Sequence, residues 1–420
     1  MEPLASGVRT GAYSVRKRSK RFVFEIQQDV AVEVADIILE RRANLPLERG
    51  ALPAAVAEWA IRQPRQRYSL SELPPALVLE MRSVVVDLIE KYGAARAEGP
   101  LPGSMKIEQG TVSDYVETIA TVMAVAALGE LGFRTTPLPG CMILHFNVEG
   151  LRETLTDATP GVSSNVIDSV LEGMTTRIGK PYNSGQLVAA YGDRVALPTI
   201  MTFPRIVDSL ILRPIASVPE RYGNVGENQG RRAVVLLSWL NAKIDGALTA
   251  SDVKVKAGGG RTVGDLDIVV VDPVEKLGVI FEVKSPIDPM TMPEVVKADS
   301  IKQRAHTQVE RLRRVIAETD VFLALPVGWP SFGEVDWTWA VCMMNFASPR
   351  TVPANGIFEV SARILMSKDR INSVTTLISE ILTPTLPVCG VDYALTPRRM
   401  ELAGTSVEVE SIVFPESSIR

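Results

Sequence analysis

Residues Gly264 to Ser285 read GDLDIVVVDPVEKLGVIFEVKS. Two apolar, β-branched runs flank a turn at Asp272-Pro273, and charged residues interrupt them at only a few points. Residues i and i+2 of a strand share a face. Asp265 and Asp267 therefore point one way on the first run, as do Glu282 and Lys284 on the second. If the runs pair, three carboxylates and an ammonium converge beside a buried sheet. Burying them costs solvation free energy unless something compensates. A hard divalent cation with a positioned water would do so.

The pattern extends outward from this hairpin. Arg231 to Ile244 reads as an apolar helix, Val253 to Ala257 as a strand, and Gly258-Gly-Gly260 as a turn. After the hairpin, Val295 to Ile316 places Ile301, Ala305, Val309, Leu312 and Ile316 on one helical face. Val321–Leu325 and Trp339–Phe346 read as two more strands. Strands that begin as a meander and then cross over through a helix predict an α/β fold, a mixed sheet flanked by helices.

This order and these residues resemble the PD-(D/E)xK nuclease superfamily, over about residues 226 to 346. The family core is an αβββαβ unit with an acid on the second strand and Asp/Glu-x-Lys on the third. Asp267 stands at the first position and Glu282-Val283-Lys284 at the second. The Gly264-Asp265-Leu266-Asp267 run is similar to the Gly-Glu-Ile-Asp form of Holliday-junction resolvases. The resemblance implies a restriction-endonuclease-like core and Mg²⁺- or Mn²⁺-dependent hydrolysis of nucleic acid, with DNA favoured. It implies Asp267, Glu282 and the Val283 carbonyl as metal ligands and Lys284 as the catalytic ammonium. Asp265 is either a further metal ligand or a plain strand-end acid.

The helix after Lys284 carries six Lys/Arg against three Asp/Glu between Glu294 and Arg314. Lys302, Gln303, Arg304 and Gln308 are the candidate nucleic-acid contacts on it, and His306 reads as a phosphate contact or an exposed residue. Two departures from the family stand out. One branch carries Gln-x-x-x-Tyr on this helix, where Thr307 and Leu312 stand here. The first-helix glutamate of many members falls on Ala233, leaving Glu227 or, across a long insertion, Glu117 as substitutes. Asp252-Val-Lys254 also spells Asp-x-Lys but lacks an apolar strand around it.

The remaining sequence bounds the reading. The chain has 420 residues, a net charge of −4 and 22% charged residues. Nucleic-acid binding then depends on local basic patches. The densest is Arg16-Lys-Arg-Ser-Lys-Arg21, and Arg62, Arg65 and Arg67 form a looser one; each reads equally as a solvated loop. Two histidines and three scattered cysteines argue against a zinc site or a disulfide framework. The apolar run Thr118–Gly129 falls short of the ~20 residues of a membrane span, and no signal-peptide core precedes it. A cytoplasmic protein with no membrane partner is expected. Trp329, Trp337 and Trp339 read as packing residues before base-stacking ones.

Four segments are expected: a helical region 1–103 ending at Gly99-Pro-Leu-Pro-Gly103, an α/β region 104–219, the nuclease-like domain 220–350, and an extension 351–420. Residues 1–219 would select substrate, meet a partner protein or form a homo-oligomer. The alternative to a nuclease is a non-catalytic nucleic-acid-binding or assembly protein that keeps the fold.

Overall fold

A computed structural model describes residues 13–18, 21–26, 31, 34–35, 38–39, 52–62, 73–95, 102–107, 109–134, 143–177, 188–198, 233–257, 260–286, 292–318, 321–344, 354–402 and 405–415. The chain forms two compact units, one of residues 1–42 with 229–420 and one of residues 43–228. This division does not coincide with the four expected segments. Gly103 lies inside the second unit, where its carbonyl accepts from the Ser113 amide at 3.0 Å.

The first unit opens with strands β1 (Tyr13–Arg18) and β2 (Arg21–Ile26). The region expected to be mostly helical thus opens, among its described residues, with a β-hairpin. Its alternating residues find their partner strand near the other end of the chain. Two residues of the basic run are held in ion pairs. Arg16 meets Glu25 at 3.3 Å and Arg21 meets Glu408 at 3.0 Å.

The second unit contains α1 (Ala54–Arg62), α2 (Pro75–Ala95), β3 (Lys106–Ile107), β4 (Gly110–Thr111) and α3 (Val112–Arg134). It continues with β5 (Ile143–Asn147), α4 (Val148–Ala158), α5 (Ser164–Met174), β6 (Thr175–Arg177), β7 (Val188–Tyr191) and β8 (Arg194–Pro198). The four longer strands form a sheet ordered β5-β8-β7-β6. Helix α3 holds an 18-residue stretch, Val112–Gly129, long and apolar enough to cross a membrane, and 78% of that stretch is buried inside the protein. It packs against α1, α2, α4 and α5 as a core helix.

The first unit resumes with α6 (Ala233–Lys243), β9 (Leu248–Ala257), β10 (Thr262–Asp272), β11 (Leu277–Lys284) and α7 (Met292–Glu318). Then come β12 (Val321–Leu323), β13 (Asp336–Met343), β14 (Ile357–Ser361), α8 (Ala362–Met366), α9 (Val374–Leu382), β15 (Ala394–Leu402) and β16 (Thr405–Val413). A four-stranded sheet runs β1-β2-β16-β15, with β16 parallel to β2.

The larger sheet has six strands in the order β12-β9-β10-β11-β13-β14. Strand β10 runs antiparallel to both of its neighbours, β9 and β11, and β13 and β14 follow parallel to β11. The protein is thus a mixed α/β structure whose sheets are flanked by helices. Val269, Val271, Ile280, Val341 and Met343 pack with Ala305, Val309 and Leu312 of α7 in one core. Hydrophobic burial on both faces explains why β10 and β11 read as nearly continuous apolar runs. Trp329 and Trp337 border this core, and Trp339 lies within it, 6% exposed. Trp337 stacks on Phe332 and donates its indole N–H to the Phe332 carbonyl at 2.8 Å. The tryptophans therefore serve packing.

Gly278 admits this packing. A Cβ there would lie 2.4 Å from the Trp337 ring and 2.9 Å from a Val335 methyl. Gly278→Ala is expected to lower unfolding free energy by about 1–3 kcal/mol, the usual cost of overpacking a rigid neighbour. Urea denaturation of the two proteins measures it.

Candidate active site

The β10–β11 ladder runs from Asp272 opposite Leu277 to Ile268 opposite Phe281. Beyond Ile268, side chains take over the contacts. The Val283 amide donates to Asp267 Oδ2 at 2.7 Å. Lys284 Nζ donates to Glu282 Oε1 and stands 4.0 Å from Asp267 Oδ2. The strand period and the hairpin register thus bring Asp267, Glu282 and Lys284 to one point.

Their burial differs. Glu282 is 3% exposed, while the Asp267 and Lys284 side chains keep 26% and 28% of their surface. Burial raises the Asp267 carboxyl above its ordinary range, although the Val283 amide and Lys284 pull it down. Burial, reinforced by the Asp267 charge, pushes Glu282 up to about 7 despite Lys284 beside it. Two acids that resist ionisation together create a place where added positive charge is favourable.

Asp265 is set apart. It faces Lys254 across β9 and β10 and pairs with it at 3.2 Å, with 44% of its side chain exposed. Asp265→Asn is expected to change stability by less than about 1 kcal/mol, as for exposed pairs generally. A thermal melt checks this. The Asp252–Lys254 stretch lies in β9, which contains the strand expected over Val253–Ala257 and extends it back to Leu248. Asp252 adopts φ 53°, a left-handed conformation that Asp tolerates better than most residues. Its charge further raises Asp267.

No protein-family model, curated protein or solved structure matches this chain significantly. The site's chemistry must be read from its own geometry. Among the described residues, no three His, Cys, Asp or Glu side chains are grouped to hold a metal ion. The carboxylates that meet here are two, Asp267 and Glu282, and the Val283 carbonyl is a donor only as the sequence resemblance implies. One residue beyond Lys284, Ser285 Oγ is buried without a hydrogen-bond partner. A small set of hard oxygen donors suits Mg²⁺, which keeps several of its waters.

The remaining candidates are placed as follows. Gln303 and Arg304 are exposed on α7 and Gln308 is half-buried. Lys302, expected among the nucleic-acid contacts, is 7% exposed and lies 3.1 Å from Glu359 Oε2. His306 Nε2 lies 2.9 Å from Glu359 Oε1. Glu227 lies outside the described residues. Glu117, in the second unit, is 2.7 Å from Arg82. Arg65 and Arg67 also lie outside the described residues. Sequence reasoning missed Glu359, whose strand is short and follows the expected end of the domain.

Proposed function

We propose that Asp267, Glu282 and Lys284 form the active site of a metal-dependent nuclease, a phosphodiester hydrolase acting on nucleic acid, with DNA the favoured substrate. The observation that carries the proposal is the meeting of these three side chains at the ends of two central strands, one carboxylate almost wholly buried. The order α6, three antiparallel strands, α7, then a strand parallel to β11 agrees with a restriction-endonuclease-like core. In this chain β12 is visited on the far edge before β13.

When bound, a divalent cation supplies Lewis acidity to water and to phosphoryl oxygens at neutral pH. Asp267, Glu282 and the Val283 carbonyl would hold it. The Val283 amide fixes the Asp267 rotamer, so this ligand is positioned before substrate arrives. Lys284 orients the attacking water and offsets charge on the scissile phosphate. Its present hydrogen bond to Glu282 must loosen for this. The exposed Gln303 and Arg304 on α7 are suited to backbone phosphates. A cytoplasmic setting fits Cys342, whose thiol is buried, free and pushed up in pKa by burial.

A second reading is a non-catalytic nucleic-acid-binding or assembly protein. It is favoured by the lack of a three-residue metal group among the described residues and by the closure of Lys284 on Glu282. The experiment that separates the two incubates the protein with plasmid, linear duplex, single-stranded DNA and RNA in Mg²⁺, Mn²⁺ or EDTA. Cleavage that EDTA abolishes supports the nuclease. Retained nucleic-acid binding without cleavage in either metal supports the second reading.

A further inference from the structure

The six-stranded sheet carries another polar cluster, two strands from Glu282. The register of β11, β13 and β14 aligns Glu282 with Val341 and Glu359, and Lys284 with Met343 and Ser361. Aligned residues of parallel strands share a face, so Glu282 and Glu359 project from one side of the sheet with their backbones about 10 Å apart, two strand spacings. A pocket sits at this edge, with about 40 Å³ of enclosed space and about 520 Å³ when the space at its open side is counted. It is lined by the polar Lys302, Glu359 and Ser361 and the apolar Met343, Leu365 and Leu386.

Three features specify what this pocket can hold. Ser361 is 8% exposed, and its Oγ has no hydrogen-bond partner. It precedes α8 as the N-cap residue yet makes no side-chain cap bond, so this hydroxyl serves no evident structural purpose. The charges lining the pocket are already compensated. Lys302 pairs with Glu359, and Glu380 is held by Arg370 and by the Thr385 amide. A charged ligand would lose hydration and find no free counter-charge. The remaining lining is aliphatic or thioether.

We propose that this pocket binds a nucleobase, a neutral ring with apolar faces and a donor–acceptor edge, hydrogen-bonded by Ser361. The proposal rests on the nucleic-acid reading of the Glu282 site. The separation from that site is one that a single extruded nucleotide spans from phosphate to base. Base extrusion into a pocket is a general means of reading a strand one nucleotide at a time. The same chemistry would accept a free nucleoside, and the experiment distinguishes the two sources.

Saturation-transfer NMR would be recorded for adenosine, guanosine, cytidine and thymidine with the metal-free protein in EDTA. Ser361→Ala and Leu386→Trp would be examined beside it, their folding checked by thermal melts. At least one nucleoside is expected to bind. Ser361→Ala should weaken it roughly fivefold, the loss of one hydrogen bond, and Leu386→Trp should remove it by filling the pocket. Displacement by an oligonucleotide, but not by one abasic at the corresponding position, assigns the pocket to a base within a strand. Failure of both to displace assigns it to free nucleosides. No nucleoside signal with folded wild type, or a signal unchanged in both variants, overturns the proposal. Lys284→Ala must keep nucleoside binding, so loss of hydrolysis and loss of the base pocket are read separately.

Discussion

Lys284→Ala is expected to lower metal-dependent cleavage by roughly 10³-fold, the scale of losing one positioned charge or proton-handling group. Stability should change little or rise slightly. The ammonium stands between Glu282 and Asp267, the latter at 4.0 Å, and both carboxyls already resist ionisation. Without Lys284 both carboxyls hold their protons more firmly, which limits the charge left uncompensated in the site. Divalent binding should survive, because Lys284 is not a ligand. The checks are initial cleavage rates under saturating metal, with a urea melt as the folding control. A variant that keeps wild-type rates would remove Lys284 from the chemistry.

The second large effect concerns stability and pH. Glu282 moves from an ordinary 4.5 to about 7 in the folded protein, chiefly because it is buried. Between these values the native state binds more protons than the unfolded chain, so stability falls as pH rises through this window. The metal-free wild type should therefore be most stable at the acid end of it. By pH 8 the ionised, buried glutamate costs roughly 3 kcal/mol. Glu282→Gln removes that charge and still accepts from Lys284. The variant should be more stable than wild type by about this amount at pH 8 and nearly equal to it at pH 4.5. Urea titrations in EDTA across this range would show the wild-type slope and its absence in the variant. Such a gain marks a residue kept at the expense of stability, as functional groups often are.

The parts of the fold legible in the sequence were those with local periodicity. Strands β10 and β11 showed as apolar runs, and α7 showed its Ala305, Val309 and Leu312 stripe. The juxtaposition of Asp267, Glu282 and Lys284 followed from a period of two and one hairpin. What escaped depended on distant partners. The β1–β2 hairpin has a basic strand and is completed by β16, whose Ser406 aligns with Arg21. No local pattern announces that pairing. Strand β14 is five residues long and half-covered, and its Glu359 explains why Lys302 is buried. On sequence alone Lys302 reads as a nucleic-acid contact. Asp265 shows the limit of the alternation rule. It lies on a strand as expected, but the partner that fixes its role is Lys254 across the ladder.

A calorimetric titration of Mn²⁺ into wild type and Asp267→Asn at pH 7.5 tests the central claim most directly. Wild type should bind Mn²⁺ with measurable heat, and the variant should lose that binding while melting as a folded protein. Equal binding by both, or none by wild type, would contradict a metal site built on Asp267 and Glu282.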